Sequence, residues 1–434
     1  VTPAARLAAA IEILDRIEAS KLPADQVLKA WGKANRFAGS GDRRAIAERV
    51  YQALRGRARA AWAFEGDSPR ALVLGSLAAE GLSAEEIAVL FSGEGRAPAA
   101  LTGAERASLG RDLGEAPDWA RAGVPPYVAE LLRAQYGDAW AEEAAALVAE
   151  RAPVDLRVNG LAGPVEGAIR LLATDEIKPE RTPFSAWGLR LPAALAPDIQ
   201  KTRAYTTGWI EVQDEGSQVA AFLAGAQPGW TVIDYCAGGG GKTLALAQQM
   251  RRQGRLIASD LDGRRLNNIT ERLGRAGAKA EVRKIGAEGQ GTEDLADLCD
   301  LVLVDAPCSG SGTWRRHPEG AWRLQSATVE RLAALQAGIL SRASSLVRPG
   351  GRLAYVTCSI IDAENAQVAA GFAGAHPEFR PLPIARAAAT SDLTEAGRAR
   401  LAELADGGHT VQLTPRRAGT DGFFIALFER SRTT

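Results

Sequence analysis

Several features are scarce in this chain. Of its 434 residues only four are cysteine (Cys236, Cys299, Cys308 and Cys358), and no two form a CxxC pair. That pattern argues against a zinc site and against a disulfide framework, and predicts reduced thiols and no metal. No window approaches the roughly 18 uninterrupted apolar residues that a membrane span needs, and the opening Val1-Thr-Pro-Ala-Ala-Arg has no apolar signal core. The expected location is the cytoplasm, with no membrane partner. Net charge is absent as well, 52 Lys+Arg balancing 52 Asp+Glu. Lysine is rare, only eight of those 52 cations, so a lysine inside a motif says more than an arginine does. The 46 glycines and 21 prolines gather into no low-complexity tract, and no internal repeat is visible.

The chain is longer than one ordinary core, since domains usually hold about 100–200 residues. Hydrophobic content of 46% and charged content of 24% are those of a globular protein. Charge is distributed unevenly: residues 1–64 carry 12 Lys/Arg against 6 Asp/Glu, and residues 65–150 carry 6 against 15. A basic segment backed by an acidic one suits a polyanion-facing patch, and equally suits ordinary solvated helix faces. Leu7, Ile11 and Leu14, then Ile46, Val50 and Leu54, recur at helical spacing, with Ser40-Gly41-Asp42 as the break and cap between helices. Further helices are expected over 70–78, 83–91 (Ser83 and Glu86 forming a capping box) and 126–149. The first 150 residues thus read as an all-helical domain, either a structural appendage or a docking module.

From about residue 152 the texture changes. Val154–Asn159 and Ala186–Leu191 alternate like strands around a helical stretch, Pro164–Ala173, so residues 151–208 read as a small α+β adaptor that leads on near Thr202–Gly208. Beyond it, residues 209–434 alternate strand and helix as in a doubly wound, Rossmann-like α/β sheet. The expected strands are Thr231–Tyr235, Arg255–Asp260, Lys279–Arg283, Leu301–Asp305, Arg352–Thr357 and Phe423–Phe428.

Thr231-Val-Ile-Asp234-Tyr-Cys236-Ala237-Gly238-Gly239-Gly240-Gly241-Lys242-Thr243 is a strand, a glycine-rich turn and a helix start. Such a turn lets a ligand approach the backbone and the helix amino terminus. A phosphate-binding loop would need glycine where Cys236 stands, and a dinucleotide fingerprint would need glycine where Thr243 stands. Some residues later a second strand ends in Asp260, the place for a ribose-binding acid. A glycine turn and strand-end acid without a pyrophosphate signature fit a nucleoside cofactor such as S-adenosylmethionine.

Cys308 and Cys358 each stand just past an apolar strand, in Leu301-Val-Leu-Val-Asp305-Ala-Pro-Cys308 and Leu353-Ala-Tyr-Val-Thr-Cys358. Ligands of open parallel sheets bind outside the carboxyl ends of strands, so these thiols are displayed to substrate. A thiolate can add to carbon 6 of cytosine and make carbon 5 nucleophilic toward a methyl group, and a second thiol can assist release. Cys299, by contrast, reads as a small buried hydrophobe.

Asp305-Ala-Pro-Cys308-Ser-Gly-Ser-Gly-Thr, Tyr355-Val-Thr-Cys358-Ser with Glu364-Asn365, Asp234–Lys242, Gln213-Asp-Glu-Gly-Ser-Gln218 and Gly419-Thr-Asp-Gly-Phe-Phe424 resemble the motifs of RNA cytosine-C5 methyltransferases across the whole carboxyl half. Gly41-Asp-Arg-Arg-Ala-Ile-Ala and Val50-Tyr-Gln-Ala-Leu-Arg55 resemble a NusB-like RNA-binding domain. The combination is similar to bacterial enzymes for small-subunit ribosomal RNA. The resemblance implies Cys358 as nucleophile, Cys308 as the residue assisting release, Asp305 holding the cytosine edge near the methyl donor, and Lys242 orienting the site. It places S-adenosylmethionine on Cys236–Lys242, with Asp260 on the ribose, Arg265 nearby and Asp305 adjoining. It also implies a small RRM-like adaptor and RNA as the partner of a monomer. Where the family has an acid near the adenine, this chain reads Lys284-Ile-Gly286-Ala-Glu288, so either Glu288 substitutes from a shifted loop or backbone groups hold the ring. Trp314-Arg315-Arg316-His317-Pro318, with Trp322, offers cations and rings to unpaired RNA, or is a solvated loop around a core tryptophan. Arg43 and Arg44 are the candidate RNA contacts of the helical domain. The competing readings are a DNA cytosine-C5 methyltransferase using Cys308 as nucleophile and a non-catalytic RNA-binding assembly factor.

Overall fold

The computed structural model describes residues 1–148, 151–192 and 198–432. The last residue of the helix expected over 126–149, and the domain end at 150, lie outside the described residues. The chain forms two compact units, one of residues 1–151 with 313–325, the other of 152–312 with 326–434.

The first unit is helical. Its helices start where the chemistry asks: Thr2 caps Pro3–Ser20 by accepting from the Ala5 N–H (3.2 Å), and Ser68 caps Pro69–Ala79 in the same way. Ser83 and Glu86 exchange hydrogen bonds at the head of Ala84–Leu90, the expected capping box. Ser40 is not the cap of its helix. The helix Ser40–Arg55 already includes it; Gly39 is the cap, and Asp42 reaches back to accept from the Gly39 N–H at 3.3 Å. Ile13, Leu14, Ile17, Trp31, Ile46, Val50, Leu54 and Leu72 form the core.

Thr313–Gln325 belongs to this unit although it lies far along the chain. Its Glu319, almost wholly buried, accepts from the Ala24 N–H at 2.9 Å, placing a carboxylate at the amino end of the helix Ala24–Ala34. Arg323 donates to the carbonyls of Ile17 (2.8 Å) and Lys21 (2.9 Å) at the carboxyl end of Pro3–Ser20. Trp322 lies under the Arg57 guanidinium, 4.7 Å from it. One short segment thus satisfies the open ends of two helices.

The second unit holds two sheets. The smaller consists of β1 (Val154–Val158), β2 (Glu180–Arg181), β3 (Gly188–Leu191) and β4 (Ile210–Val212) in the order β2-β3-β1-β4, every neighbour antiparallel. With the helices Val165–Thr174 and Arg203–Thr206 this is the βαββαβ, ferredoxin-like arrangement. β4 pairs Val212 with Leu156 and Ile210 with Val158, so the small sheet takes in residues beyond position 208.

The larger sheet is built from β5 (Thr231–Asp234), β6 (Arg255–Asp260), β7 (Glu281–Lys284), β8 (Cys299–Asp305), β9 (Val347–Thr357), β10 (Phe379–Pro381), β11 (Thr410–Leu413) and β12 (Phe423–Arg430). The order is β10-β12-β9-β8-β5-β6-β7, with β11 also on β12; β5 to β9 are parallel and β12 runs antiparallel to β9. The helices Glu215–Ala224, Gly241–Gln249 and Gly263–Ala276 cover one face and Ser326–Ser344 and Ala366–Ala375 the other, giving two apolar layers. Strand order reverses between β5 and β8, and a doubly wound sheet opens its ligand crevice at that switch point. No helix among the described residues is long and apolar enough to cross a membrane.

Candidate active site

The crevice is present. A cleft of about 670 Å³ opens at the carboxyl ends of β5, β6 and β8, lined by the glycine turn, Asp260, Asp305 and both strand-end cysteines. Arg265 sits at its exposed margin. Such a volume lies within the 300–1,000 Å³ common for small-molecule sites, roughly.

The turn after β5 is pinned from β6. Ala237 donates to the Ser259 carbonyl (2.8 Å), and the Gly238 N–H donates to Asp260 Oδ2 (2.8 Å). The other Asp260 oxygen accepts from the Asp262 N–H at 2.8 Å. Each carboxylate oxygen keeps a second lone pair for a ligand hydroxyl. Gly240 does not line the cleft; it caps the helix Gly241–Gln249 at φ 80°, and a Cβ there would come within 3.0 Å of Ile269. Only glycine meets both demands.

Asp234, at the end of β5, is fully buried and accepts from Thr243 Oγ1 at 2.6 Å, while its other oxygen has no hydrogen-bond partner. Burial pushes this carboxyl up to about 7, and the neighbouring Asp305 and Asp260 charges act in the same direction. Burial likewise raises the Cys236 thiol, so the turn offers its backbone and no reactive sulfur. Cys299 is fully buried and pushed up to about 12, the structural role expected of it.

Cys308 and Cys358 meet with their Sγ atoms 3.3 Å apart, one after each of two adjacent parallel strands. The hydrogen bond to Cys358, then burial, raises the Cys308 thiol well above the usual range. Lys242 Nζ lies 2.6 Å from Asp305 Oδ2 and 5.1 Å from the centre of the Phe423 ring. Burial opposes the Lys242 charge, but Asp305 outweighs it and its affinity for the proton is raised.

The two cysteine loops share one anchor that the motif alone did not disclose. Glu364, wholly buried, accepts from the Ser309 N–H (2.8 Å), Ser309 Oγ (2.5 Å), Ser359 Oγ (2.7 Å) and Gln336 Nε2 (3.0 Å). Asn365 ties Thr357 to the Ser359 carbonyl. Gly422, from the Gly419–Phe424 motif, donates to Gly312 O at 2.8 Å, and Gly312 donates to Cys358 O at 3.0 Å. A Cβ on Gly312 would lie 2.1 Å from Gly422 O, which explains a glycine on each side. Glu364-Asn365 and Gly419–Phe424 were visible in sequence as marks of resemblance only; their work is to hold the thiols.

Two family models match: one described as 16S rRNA methyltransferase RsmB/F over residues 220–429, the other as the ferredoxin-like domain of RsmF/B-like methyltransferases over residues 124–197. A probable ribosomal RNA small subunit methyltransferase B of Synechocystis is 30% identical over 75% of this chain and 69% of its own length. The ribosomal RNA small subunit methyltransferase B of Pseudomonas putida is 32% identical over 70% of this chain and 66% of its own. The chain belongs to the RsmB/F family. It spans about two thirds of the length of these curated relatives. Among solved structures, PH0851 shares the fold over 99% of both chains with TM-score 0.77 and 24% identity. A methyltransferase homologue from Pyrococcus horikoshii aligns with TM-score 0.58 and 26% identity over 74% of this chain and 100% of its own.

At the end of the cleft where either Glu288 or backbone groups would meet the adenine, Glu288 pairs with Arg342 (3.3 Å) and does not line the cleft, while Ile285, Gly286 and Ala287 do. Arg315 is buried with Trp314 in the helical unit rather than displayed to RNA, because the segment is committed to packing there. Arg316 is half-buried and His317 exposed; Arg43 and Arg44 are exposed in the first turn of Ser40–Arg55. Among the described residues no group of three or more His, Cys, Asp or Glu could hold a metal ion.

Proposed function

We propose that the chain is an S-adenosylmethionine-dependent RNA methyltransferase that modifies carbon 5 of a cytosine in small-subunit ribosomal RNA, acting as a monomer. The observation carrying this reading is the pair of thiols 3.3 Å apart in the same cleft as the glycine turn and Asp260. The lining fits the cofactor: Asp260 for the ribose hydroxyls, the Cys236–Gly239 and Gly241 backbone for close approach, Arg265 at the margin, and Ile285 and Ile339 as apolar walls with Gly286 and Ala287 backbone at the ring edge. When bound, S-adenosylmethionine supplies an electrophilic methyl group.

An unpaired or flipped cytosine is needed for these thiols to reach it. Asp305, with one oxygen held by Lys242, offers the other to the amino edge of the base. Cys358, its proton released to solvent, bonds through sulfur to carbon 6, the electron pair of the ring double bond moves to carbon 5, and carbon 5 takes the methyl group, leaving S-adenosylhomocysteine. Cys308, its own proton then released to solvent, removes the proton from carbon 5, the electron pair of that bond restores the double bond, and Cys358 is expelled as thiolate. The surroundings of Cys308 suit this order. The hydrogen bond to Cys358 is the first cause of its raised proton affinity, and that bond is lost once Cys358 is attached to carbon. Cys308 becomes easier to ionise at the step that needs a base. Arg43, Arg44, Arg316 and His317 are the proposed RNA contacts outside the cleft.

Replacing each cysteine tests the assignment. Cys358→Ala should abolish tritiated methyl transfer to unmodified ribosomal RNA, and Cys308→Ala should accumulate a denaturation-resistant protein–RNA adduct. An adduct with DNA, or one that needs Cys308, overturns the reading; cofactor binding without any transfer by the wild type makes the chain a binder.

A further inference from the structure

The helical unit contains a recess of about 380 Å³ whose lining includes Arg55, Arg59, Arg121 and Arg151, with Glu48 and Glu80 as its carboxylates. Glu80 is already occupied by Arg49 at 2.8 Å. Among the described residues none of the four arginines forms an ion pair. Arg55 Nε is buried without a hydrogen-bond partner; among the described residues the guanidinium makes one hydrogen bond, a long one of 3.5 Å to the Arg315 carbonyl, and lies 5.5 Å from the centre of the Tyr51 ring. Burial, with the like charge of Arg151, depresses the Arg55 proton affinity against the attraction of Glu48. Cations gathered around a concavity with too few carboxylates are unfavourable unless an anion enters.

The same helix face leads to the recess. Arg44 and Arg55 are separated by three turns of Ser40–Arg55, hence aligned and about 16 Å apart along the axis. Guanidinium forks match phosphate oxygens in pairs. No aromatic residue lines the recess, so it has no platform on which a base could stack. It suits the backbone of a nucleic acid and not its sequence.

We infer that this recess binds backbone phosphates of the RNA substrate, with Arg59 and Arg121 as exposed ligands and the Arg44 edge of the helix extending the track. The inference rests on the RNA methyltransferase reading for the identity of the polyanion. It is tested on the full chain with Arg59→Gln/Arg121→Gln, by fluorescence anisotropy against an unmodified 16S rRNA fragment and a labelled uridine oligomer across a potassium chloride series. Each lost phosphate contact should lower the slope of log affinity against log salt by about 0.7, so the double variant should lose about 1.4. The loss should be equal on both RNAs, and Arg59→Lys/Arg121→Lys should retain the wild-type slope. Affinity for S-adenosylhomocysteine, measured by calorimetry, should stay at the wild-type value and certify the fold. A folded double variant with unchanged slope overturns the recess, including the case in which an acidic protein is its true partner. A wild type that binds RNA in this way but transfers no methyl group overturns the catalytic reading alone.

Discussion

The cleft and the helical recess treat charge in opposite ways. Around the thiols the charges are held from within: Lys242 meets Asp305 at 2.6 Å, and behind the cysteine loops Glu364 collects four donors. In the recess four arginines line one concavity, and among the described residues none of them forms an ion pair. The first arrangement is finished before substrate arrives, which is what positioning two sulfur atoms requires. The second is left incomplete, and completion has to come from outside.

That contrast can be broken most severely at Lys242. Lys242→Met removes the partner of a mostly desolvated Asp305 and should cost about 3 kcal/mol in urea unfolding, the low end for a broken buried pair because Asp305 is partly exposed. Single-turnover methyl transfer should fall by about 10²-fold or more. The next effect lies at Asp234, a fully buried acid at the end of β5 with one oxygen unpartnered. Its folded-state affinity for the proton is raised to about 7 from 3.8, so between those values the native chain binds a proton that the unfolded chain releases. This group therefore lowers stability as pH rises from about 4 to about 7, by about 4 kcal/mol at about 1.36 kcal/mol per unit. Asp234→Asn should flatten that slope in unfolding experiments, and an unchanged slope would place the titration elsewhere. The smallest effect is expected in the recess: Arg59→Gln/Arg121→Gln should shift unfolding free energy by no more than about 0.5 kcal/mol, because the lost cations support nothing in the fold. A large destabilisation would mean the recess is as finished as the cleft.

The parts of the site carried on single strand ends were legible in sequence. Asp234, Asp260, Asp305, Cys308 and Cys358 each follow an apolar run, and strand-end position in a parallel sheet is set locally. The supports were not legible, because they join residues far apart in the chain. Glu364 acts by closing on Ser309, and Gly422 by fitting Gly312. Arg157 is the plainest case. It alternates with Leu156 and Val158 as an outward-facing strand residue would, yet it is buried and donates to Gln213 (2.7 Å) and Gln248 (2.8 Å) because the second face of the small sheet is also covered. Its charge is correspondingly strained, burial drawing its proton affinity down to about 10. Trp314 and Arg315 show the converse. An aromatic and cationic run has the same composition whether it meets RNA or packs among helices, and only the tertiary structure distinguishes them.

The excursion of residues 313–325 into the helical unit limits how this architecture can be cut and recombined. A fragment that starts after Arg151 would carry Trp314, Trp322 and the buried carboxylate of Glu319 into water without their bed, and the separated helices would lack the side chains that close two of their ends. The amino-terminal helices are therefore no detachable accessory; transplanting them onto another catalytic sheet requires moving a thirteen-residue graft from the loop behind Cys308 along with them.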